Sequence, residues 1–139
     1  MSEIHDFQAA AQSAEEWLDD VTKRLGWHDR ARAYSALVAA LHALRDCFER
    51  DEAIYLGASL PVLLRGFYFE GWHGRRGAAM KKRDLFLARI HDGVHRDPAV
   101  DPEHVARAVL ALLAERLPAA EIEDAKSATP KELHNLWPS

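Results

Sequence analysis

The fold of this 139-residue chain is decided by residues 29–48, which read DRARAYSALVAALHALRDCF. Asp29 is a good N-cap residue, and the apolar side chains after it recur at intervals of three and four. They are Tyr34, Leu37, Leu41, Leu44 and Phe48. This spacing is typical of a helix that packs against other helices along one face, and the alanines beside that face are strong helix formers. The stretch therefore predicts a long helix with one packed face.

Signals for the start and the end of helices divide the rest of the chain in the same way. Ser13 and Glu16 have the capping-box spacing of a first helix, which Gly26 is placed to end. At the other end of the chain, Thr129-Pro130 combines an N-cap residue with a first-turn proline. Together these signals predict the all-α fold class, as a compact helical bundle of about eight helices.

The second half of the chain repeats the pattern of the first when the two are aligned without gaps so that Trp17 matches Phe86. We call this alignment the repeat register. Few aligned pairs are identical, and generic helical periodicity alone would produce some of them. The prolines are not periodic, however, and Pro61 and Pro130, which the register aligns, each open the last helix of a half.

We therefore expect internal duplication into two four-helix halves, which share one core and are related by a pseudo-twofold axis. A unit of the size of one half has difficulty burying its apolar face alone. The predicted single domain spans 1–139, with repeats 13–70 and 82–139 joined by the loop 71–81.

Four runs of the chain carry a resemblance to a known family. They are Arg32-Ala33-Tyr34, the run from Leu41 to Asp46, the run from Leu60 to Tyr68, and Glu70-Gly71-Trp72. With these runs the chain resembles the bacterial family catalogued as domain of unknown function 2267, over nearly its whole length. The resemblance implies a soluble, all-helical, duplicated bacterial protein. It implies no activity, and it therefore assigns no functional residues.

The composition is that of a folded globular protein without an extreme charge. Hydrophobic residues make up 48% of the chain and its formal net charge is −4, so no charge field points to nucleic acid or to an anionic membrane. The longest apolar run, from about Ala108 to Ala114, is far shorter than a membrane span. The N-terminal residues lack the apolar segment of a signal peptide, and the single cysteine, Cys47, fits a reducing compartment. These features favour a cytoplasmic location and disfavour membrane and nucleic-acid partners.

His91 and His95 are the candidate metal ligands. They are four residues apart on a predicted helix, so both imidazoles would face the same way, as zinc ligands on one helix do. A metal site needs a third and usually a fourth ligand, and nothing in the sequence places one nearby. The alternative, which we favour, is a pair of solvent-facing histidines near a helix end, where positive charge is favourable. We expect no cofactor.

The only basic cluster of the sequence consists of Arg75, Arg76, Lys81, Lys82 and Arg83. Glycines among these residues would let backbone N–H groups approach an anion, so the segment is a candidate contact for an anion, a nucleic acid or an acidic partner surface. The alternative is a solvated connector between the two halves, which the acidic composition of the chain favours. Trp72 precedes the cluster, where it is either a lid on the core or an anchor for a partner.

The sequence contains no complete catalytic set. Cys47 has no histidine or asparagine beside it in a catalytic arrangement, and its match with Arg116 in the repeat register predicts a position near the surface. We therefore predict no enzyme, but a non-enzymatic binding or scaffolding module with an unidentified protein partner and with self-association as a further option. Two alternatives stay open: metal or ligand binding through His91 and His95, and anion or nucleic-acid binding through residues 75–83.

Overall fold

All regular structure in the described residues is helical. The computed structural model describes residues 2–74 and 81–139, and side chains from Asp6 onward in the first range. The helices are α1 (Ser2–Leu25), α2 (Arg30–Cys47), α3 (Arg50–Ala58), α4 (Val62–Phe69), α5 (Arg83–Gly93), α6 (Pro102–Arg116), α7 (Ala119–Ala128) and a final 3₁₀ helix (Lys131–Leu136). The predicted all-α fold class is confirmed for this part of the chain.

Helix α2 lies at the centre of the bundle, where it contacts α1, α4, α5 and α6. Leu37, Leu41 and Leu44 are buried as their spacing predicts, together with the alanines beside them. Helix α5 comes very close to α2 because Gly93 carries no side chain. A Cβ atom at Gly93 would lie only 2.4 Å from the Cβ of Ala39. Small residues on both helices therefore set the spacing at the centre of the molecule.

The other helices surround α2 in a regular arrangement. Helix α1 packs on α2 and α6, while α5 packs on α6 and α2. Helix α3 packs on α4 and α7, and the 3₁₀ helix packs on α6 and α7. The buried apolar side chains of these helices form one continuous cluster, which runs from Trp17 in α1 to Trp137 after the 3₁₀ helix.

Helix α1 is longer than the capping signal predicts. The helix begins at Ser2, and Ser13 lies inside it. The residues before Ser13 include the run Ala9-Ala10-Ala11, and alanine favours the helix more than any other residue. A capping box can start a helix, but it cannot stop one that begins further upstream, so α1 extends past the predicted boundary.

The C-terminal segment forms a 3₁₀ helix, held in place by a side-chain hydrogen bond at its end. The Nε1–H group of Trp137 donates to Oγ1 of Thr129 at 3.3 Å, and the Thr129 hydroxyl donates to the carbonyl of Lys126 at 2.6 Å. Thr129 is buried, so these bonds satisfy a polar side chain inside the core.

The predicted connecting loop 71–81 falls only partly within the described residues. Its basic residues Arg75 and Arg76 lie outside them. Trp72 is half-buried against the core cluster, where its ring centroid lies 5.4 Å from that of Phe69. Within residues 2–74 and 81–139, no helix has the length and apolar character needed to cross a bilayer.

Candidate functional site

An apolar groove with a volume of about 220 Å³ lies between α1, α2 and α4, and we call it the α1–α4 groove. It is lined by Ala11, Ala14, Glu15, Leu18, Tyr34, Leu37, Leu63, Leu64 and Phe67. Nearly all of these side chains are apolar. Large exposed hydrophobic side chains continue beyond the groove at both walls, in contrast to the buried core beneath it.

The wall formed by α1 has a periodic apolar face. Phe7, Ala11, Ala14 and Leu18 are separated by four, three and four residues, so they lie along one side of the helix. Ala11 and Ala14 leave room at the groove, whereas the Phe7 side chain upstream is 74% exposed. The apolar face of α1 thus extends past the groove into solvent.

The opposite wall, α4, exposes two of its apolar side chains. Val62 is 57% exposed and Leu63 is 40% exposed, while Leu64 is buried in the core. Tyr34 of α2 stands at the edge of the groove, 41% exposed, with its ring edge-on to Phe67 at a centroid distance of 5.5 Å. The sequence placed Tyr34 with the buried face of α2, and this was wrong because the groove leaves its side uncovered.

A buried arginine of α2 fixes the end of α4. Arg45 is only 4% exposed, and its Nη1 donates to the carbonyls of Tyr68 and Glu70, each at 2.8 Å. These carbonyls have no partner within the helix because α4 ends there. The charge of Arg45 is balanced by Asp46, whose Oδ1 accepts from Nε at 2.9 Å.

A second residue of α2, His42, reaches the same end of α4. Its Nε2 donates to the carbonyl of Phe67 at 2.7 Å. Burial lowers the pKa of His42, and the nearby Arg45 and Arg89 guanidiniums lower it further. His42 is therefore neutral at pH 7, and its role here is to hold α4 in position.

The α1 wall carries an excess of negative charge. The first 22 residues of the chain contain six acidic residues and no lysine or arginine. Glu15 lines the groove, and Asp19 follows it by one turn of α1. Both pair with the single guanidinium of Arg30, Asp19 at 3.0 Å. All three side chains are about half exposed. We call these two carboxylates the acidic rim, and its net charge with Arg30 is −1.

The packing of α5 against α6 and the 3₁₀ helix produces a contrasting surface. The backbone N–H of Arg83 donates to Oε1 of Glu132 at 3.1 Å. Its guanidinium donates to Oε1 of Glu103 and to Oδ1 of Asn135, both at 2.6 Å. We call this ion-paired surface the charged counterpart.

The two surfaces occupy matching positions in the repeat register. The matched residues are Ala14 with Arg83, Tyr34 with Glu103, and Leu63 with Glu132. Hydrogen bonds from Arg107 and Arg83 lower the pKa of Glu103, and the backbone N–H of Arg83 lowers that of Glu132. Charged pairs therefore cover the surface in one place where apolar side chains lie open in the other.

In the structure, the candidate metal ligands His91 and His95 do not share the face of one helix. Helix α5 ends at Gly93, so His91 lies in its last turn, whereas His95 lies beyond it with a left-handed φ of 59°. Nε2 of His91 donates to the carbonyl of Asp97 at 2.8 Å. Among residues 2–74 and 81–139, no three His, Cys, Asp or Glu side chains are grouped closely enough to hold a metal. Metal binding by this pair stays a prediction.

Part of the predicted basic contact is engaged within the molecule. Lys82 lies 3.6 Å from a carboxylate oxygen of Glu132, and Arg83 belongs to the charged counterpart. Lys81 is exposed, and Arg75 and Arg76 lie outside the described residues. Contact of this segment with an anion or a partner therefore also stays a prediction.

Two features of the packing could not be predicted from the spacing of residues. Cys47 is fully buried, with its Sγ donating to the carbonyl of Leu44 at 3.0 Å, so its predicted position near the surface is wrong. Four histidines each donate a hydrogen bond from Nε2 to a backbone carbonyl, in addition to the backbone hydrogen bonds that form the helices. They are His42, His91, His104 and His134.

Comparison with known proteins places the chain in a family. No curated protein matches it. A family model described as "Uncharacterized conserved protein (DUF2267)" matches residues 14–136, which include half of α1, the lining of the α1–α4 groove except Ala11, and the charged counterpart. The resemblance seen in the sequence is confirmed, and the chain belongs to the DUF2267 family.

Proposed function

We propose that this protein is a non-enzymatic binding module, and that its α1–α4 groove binds the apolar face of a helix of a partner protein. The observation that carries the proposal is the exposure of large apolar side chains at the groove and just beyond it: Leu63 and Tyr34 line the groove, and Phe7 lies beyond it on α1. Contiguous exposed apolar surface on a soluble protein marks an interaction site. A groove between helices is a common binding surface for an amphipathic helix.

The chemistry of the groove supports binding rather than catalysis. Its lining holds one carboxylate, Glu15, and one phenol, Tyr34. Glu15 is already paired with Arg30, and general acid–base catalysis needs groups whose environments shift their pKa values toward the working pH. The groove therefore offers apolar contact area but no assembled reaction centre. A cytoplasmic location is part of this proposal and rests on the single cysteine.

We also infer that the groove and its charged counterpart descend from one duplicated unit. In support, helices α2 and α6 end at Cys47 and Arg116, two positions that the repeat register aligns. Helices α3 and α7 begin at Arg50 and Ala119, which the same register aligns, and both α4 and the 3₁₀ helix begin directly after a proline. On this view the apolar groove is a specialisation of one half.

The proposal is tested by capture of partners from native cytoplasm with mass-spectrometric identification. The matched control is the variant Ala14→Arg with Leu63→Glu, which copies two residues of the charged counterpart and leaves the net charge unchanged. We expect the wild-type protein to retain partners that this variant loses. The same partners retained by both proteins, or turnover of a defined substrate that a point substitution abolishes, would contradict the proposal.

A further inference from the structure

We infer that the helix bound in the α1–α4 groove is a basic amphipathic helix, with lysine or arginine beside its apolar face. This inference rests on the proposed function and adds the charge and the length of the partner. It is carried by the position of the acidic rim at the groove and by the lack of basic residues along the first 22 residues of the chain.

The acidic rim attracts positive charge at the groove. Glu15 lines the groove itself, and Asp19 is one turn further along α1. Two carboxylates share the one guanidinium of Arg30, so the rim keeps a net negative charge next to apolar surface. Complementary charge at the edge of an apolar contact selects partners and orients them. A lysine or arginine beside the apolar face of a bound helix meets this requirement.

The same charges argue against a second copy of this chain as the occupant through its own α1. Its apolar face, from Phe7 to Leu18, has the same i, i+4, i+7, i+11 spacing as the proposed partner helix. However, it carries Glu15 and Asp19 on its flank, and it would bring Asp6 as well. Like charges facing each other across an interface are unfavourable. A partner helix with basic flanks has the same apolar fit without this repulsion.

The length of the partner helix follows from the exposed face of α1. Phe7 and Leu18 are eleven residues apart, which corresponds to about 16 Å along a helix. A helix that covers this distance needs about three turns, with apolar anchors at positions such as i, i+4, i+7 and i+11. The Phe7 side chain, 74% exposed, is then an anchor that contacts the partner beyond the groove.

The experiment uses a displayed library of helical 18-residue peptides. Leucine is fixed at four positions of the i, i+4, i+7, i+11 pattern, and every other position is randomised among Lys, Glu and Gln. The library is selected on the full-length wild-type protein, on Ala14→Arg with Leu63→Glu, and on Glu15→Gln with Asp19→Asn. The last variant changes the net charge of the rim with Arg30 from −1 to +1, since it keeps Arg30 and removes both carboxylates.

We expect peptides selected on the wild-type protein to be enriched in lysine over glutamate. Their affinity should fall about threefold when both rim carboxylates are removed, and the fall should shrink at high salt. Binding should weaken at least tenfold in the variant Ala14→Arg with Leu63→Glu. Because Phe7 is exposed, Phe7→Ser should weaken binding without a change in the melting temperature, which separates loss of contact from loss of folding.

The outcomes distinguish the two proposals. Selection of peptides without a preference for lysine, with binding still lost on the groove variant, would overturn the basic partner but leave the binding module standing. Selection that the groove variant does not change, or no selected peptide at all, would overturn both. A chain that instead dimerises, with its dimer lost in Phe7→Ser, would identify a second copy as the occupant and overturn the inference.

Discussion

The α1–α4 groove and the charged counterpart lie at positions that the repeat register aligns, but they present opposite surfaces. In the groove, Ala14 and Leu63 leave an open apolar channel. In the counterpart, Arg83, which the repeat register aligns with Ala14, bonds to Glu103 and Glu132. Both surfaces lie over a core that is buried to the same degree, with Leu64 below one and Leu133 below the other.

Under the proposed duplication, this difference indicates that the fold does not require an exposed apolar surface at the groove. Ion pairs cover the gap between helices in the counterpart, and its core is intact beneath them. Exposed surface pairs add little stability, so the charged version is not favoured by folding alone either. Folding alone therefore does not account for the apolar lining of the groove, whereas binding of the proposed partner does.

The largest expected effect concerns the arginine that holds α4, for which the second half has Ala114 at the matching position. Arg45→Met should lower the free energy of unfolding by about 3 kcal/mol, because it leaves the carbonyls of Tyr68 and Glu70 without their donor in a buried place. Urea denaturation measures this loss. The control is Arg65→Met, because Arg65 also donates to two carbonyls but from an exposed position. Equal losses in both variants would show that burial of Arg45 is not what holds the groove wall.

The second effect breaks the charged counterpart. Arg83→Ala should lower the melting temperature by about 3 °C, because the variant loses the bonds to Glu103 and Asn135. The loss should shrink at high salt, where charges on the surface are screened. Lys81→Ala, at an exposed neighbouring position, is the control and should change nothing. A loss that does not depend on salt would mean that Arg83 acts through packing of its stem.

The third effect converts the groove into its counterpart. Ala14→Arg with Leu63→Glu should move the melting temperature by less than about 2 °C, because both positions border solvent and surface substitutions are near neutral. Calorimetry on both proteins tests this. Leu64→Ala is the contrast, since this buried neighbour should cost about 3 kcal/mol. A large loss in the double variant would mean that the open groove is needed by the fold.

The smallest expected effect concerns Glu52 of α3, which the repeat register aligns with Glu121 of α7. Glu121 accepts a hydrogen bond from the Ser59 hydroxyl at 2.7 Å, whereas the residue that matches Ser59 is Ala128, which has no donor side chain. Burial raises the pKa of Glu52, with further contributions from the carboxylates of Asp124 and Glu121. The folded state therefore binds the proton of the Glu52 carboxyl more tightly than the unfolded chain does. The contribution of this carboxyl to stability is lost as the pH rises through its raised pKa.

Glu52→Gln should accordingly raise the melting temperature at pH 7 by about 1 °C, and the gain should vanish below about pH 4, where the unfolded carboxyl is also protonated. Thermal melts between acid and neutral pH measure the difference. Glu121→Gln is the matched comparison, because it removes the repulsion between Glu121 and Glu52 but weakens the hydrogen bond from Ser59, so its gain should be smaller. A gain for Glu52→Gln that persists at acid pH would exclude charge as its cause.

The helices themselves were predictable from the sequence, because their signals are local. Asp29 accepts from the backbone N–H of Arg32 and Asp101 from that of Glu103, as N-cap residues should. The helix starts after Pro61 and Pro130 also follow from the fixed backbone of proline. Such signals act within one helical turn, so they predict a helix start without knowledge of the rest of the fold.

The groove was not predictable from the sequence, because it is defined by which side chains remain uncovered. Tyr34 has the spacing of a core residue, and Cys47 matches an arginine, yet their burial is the reverse of what these patterns indicate. His95 has the spacing of a ligand pair with His91, but the helix ends between them. In each case the deciding contact comes from a distant helix or from the end of a helix.

The close approach of Gly93 to Ala39 has a consequence for motion. A Cβ atom at position 93 would also lie 3.2 Å from the Cα of Ala39, so the backbones of α2 and α5 are in near contact and leave no room for side chains to adjust. Two helices packed in this way separate only when the whole domain opens. The amide protons in the middle of α2 should then be the slowest in the chain to exchange with deuterated solvent, at a rate set by global unfolding.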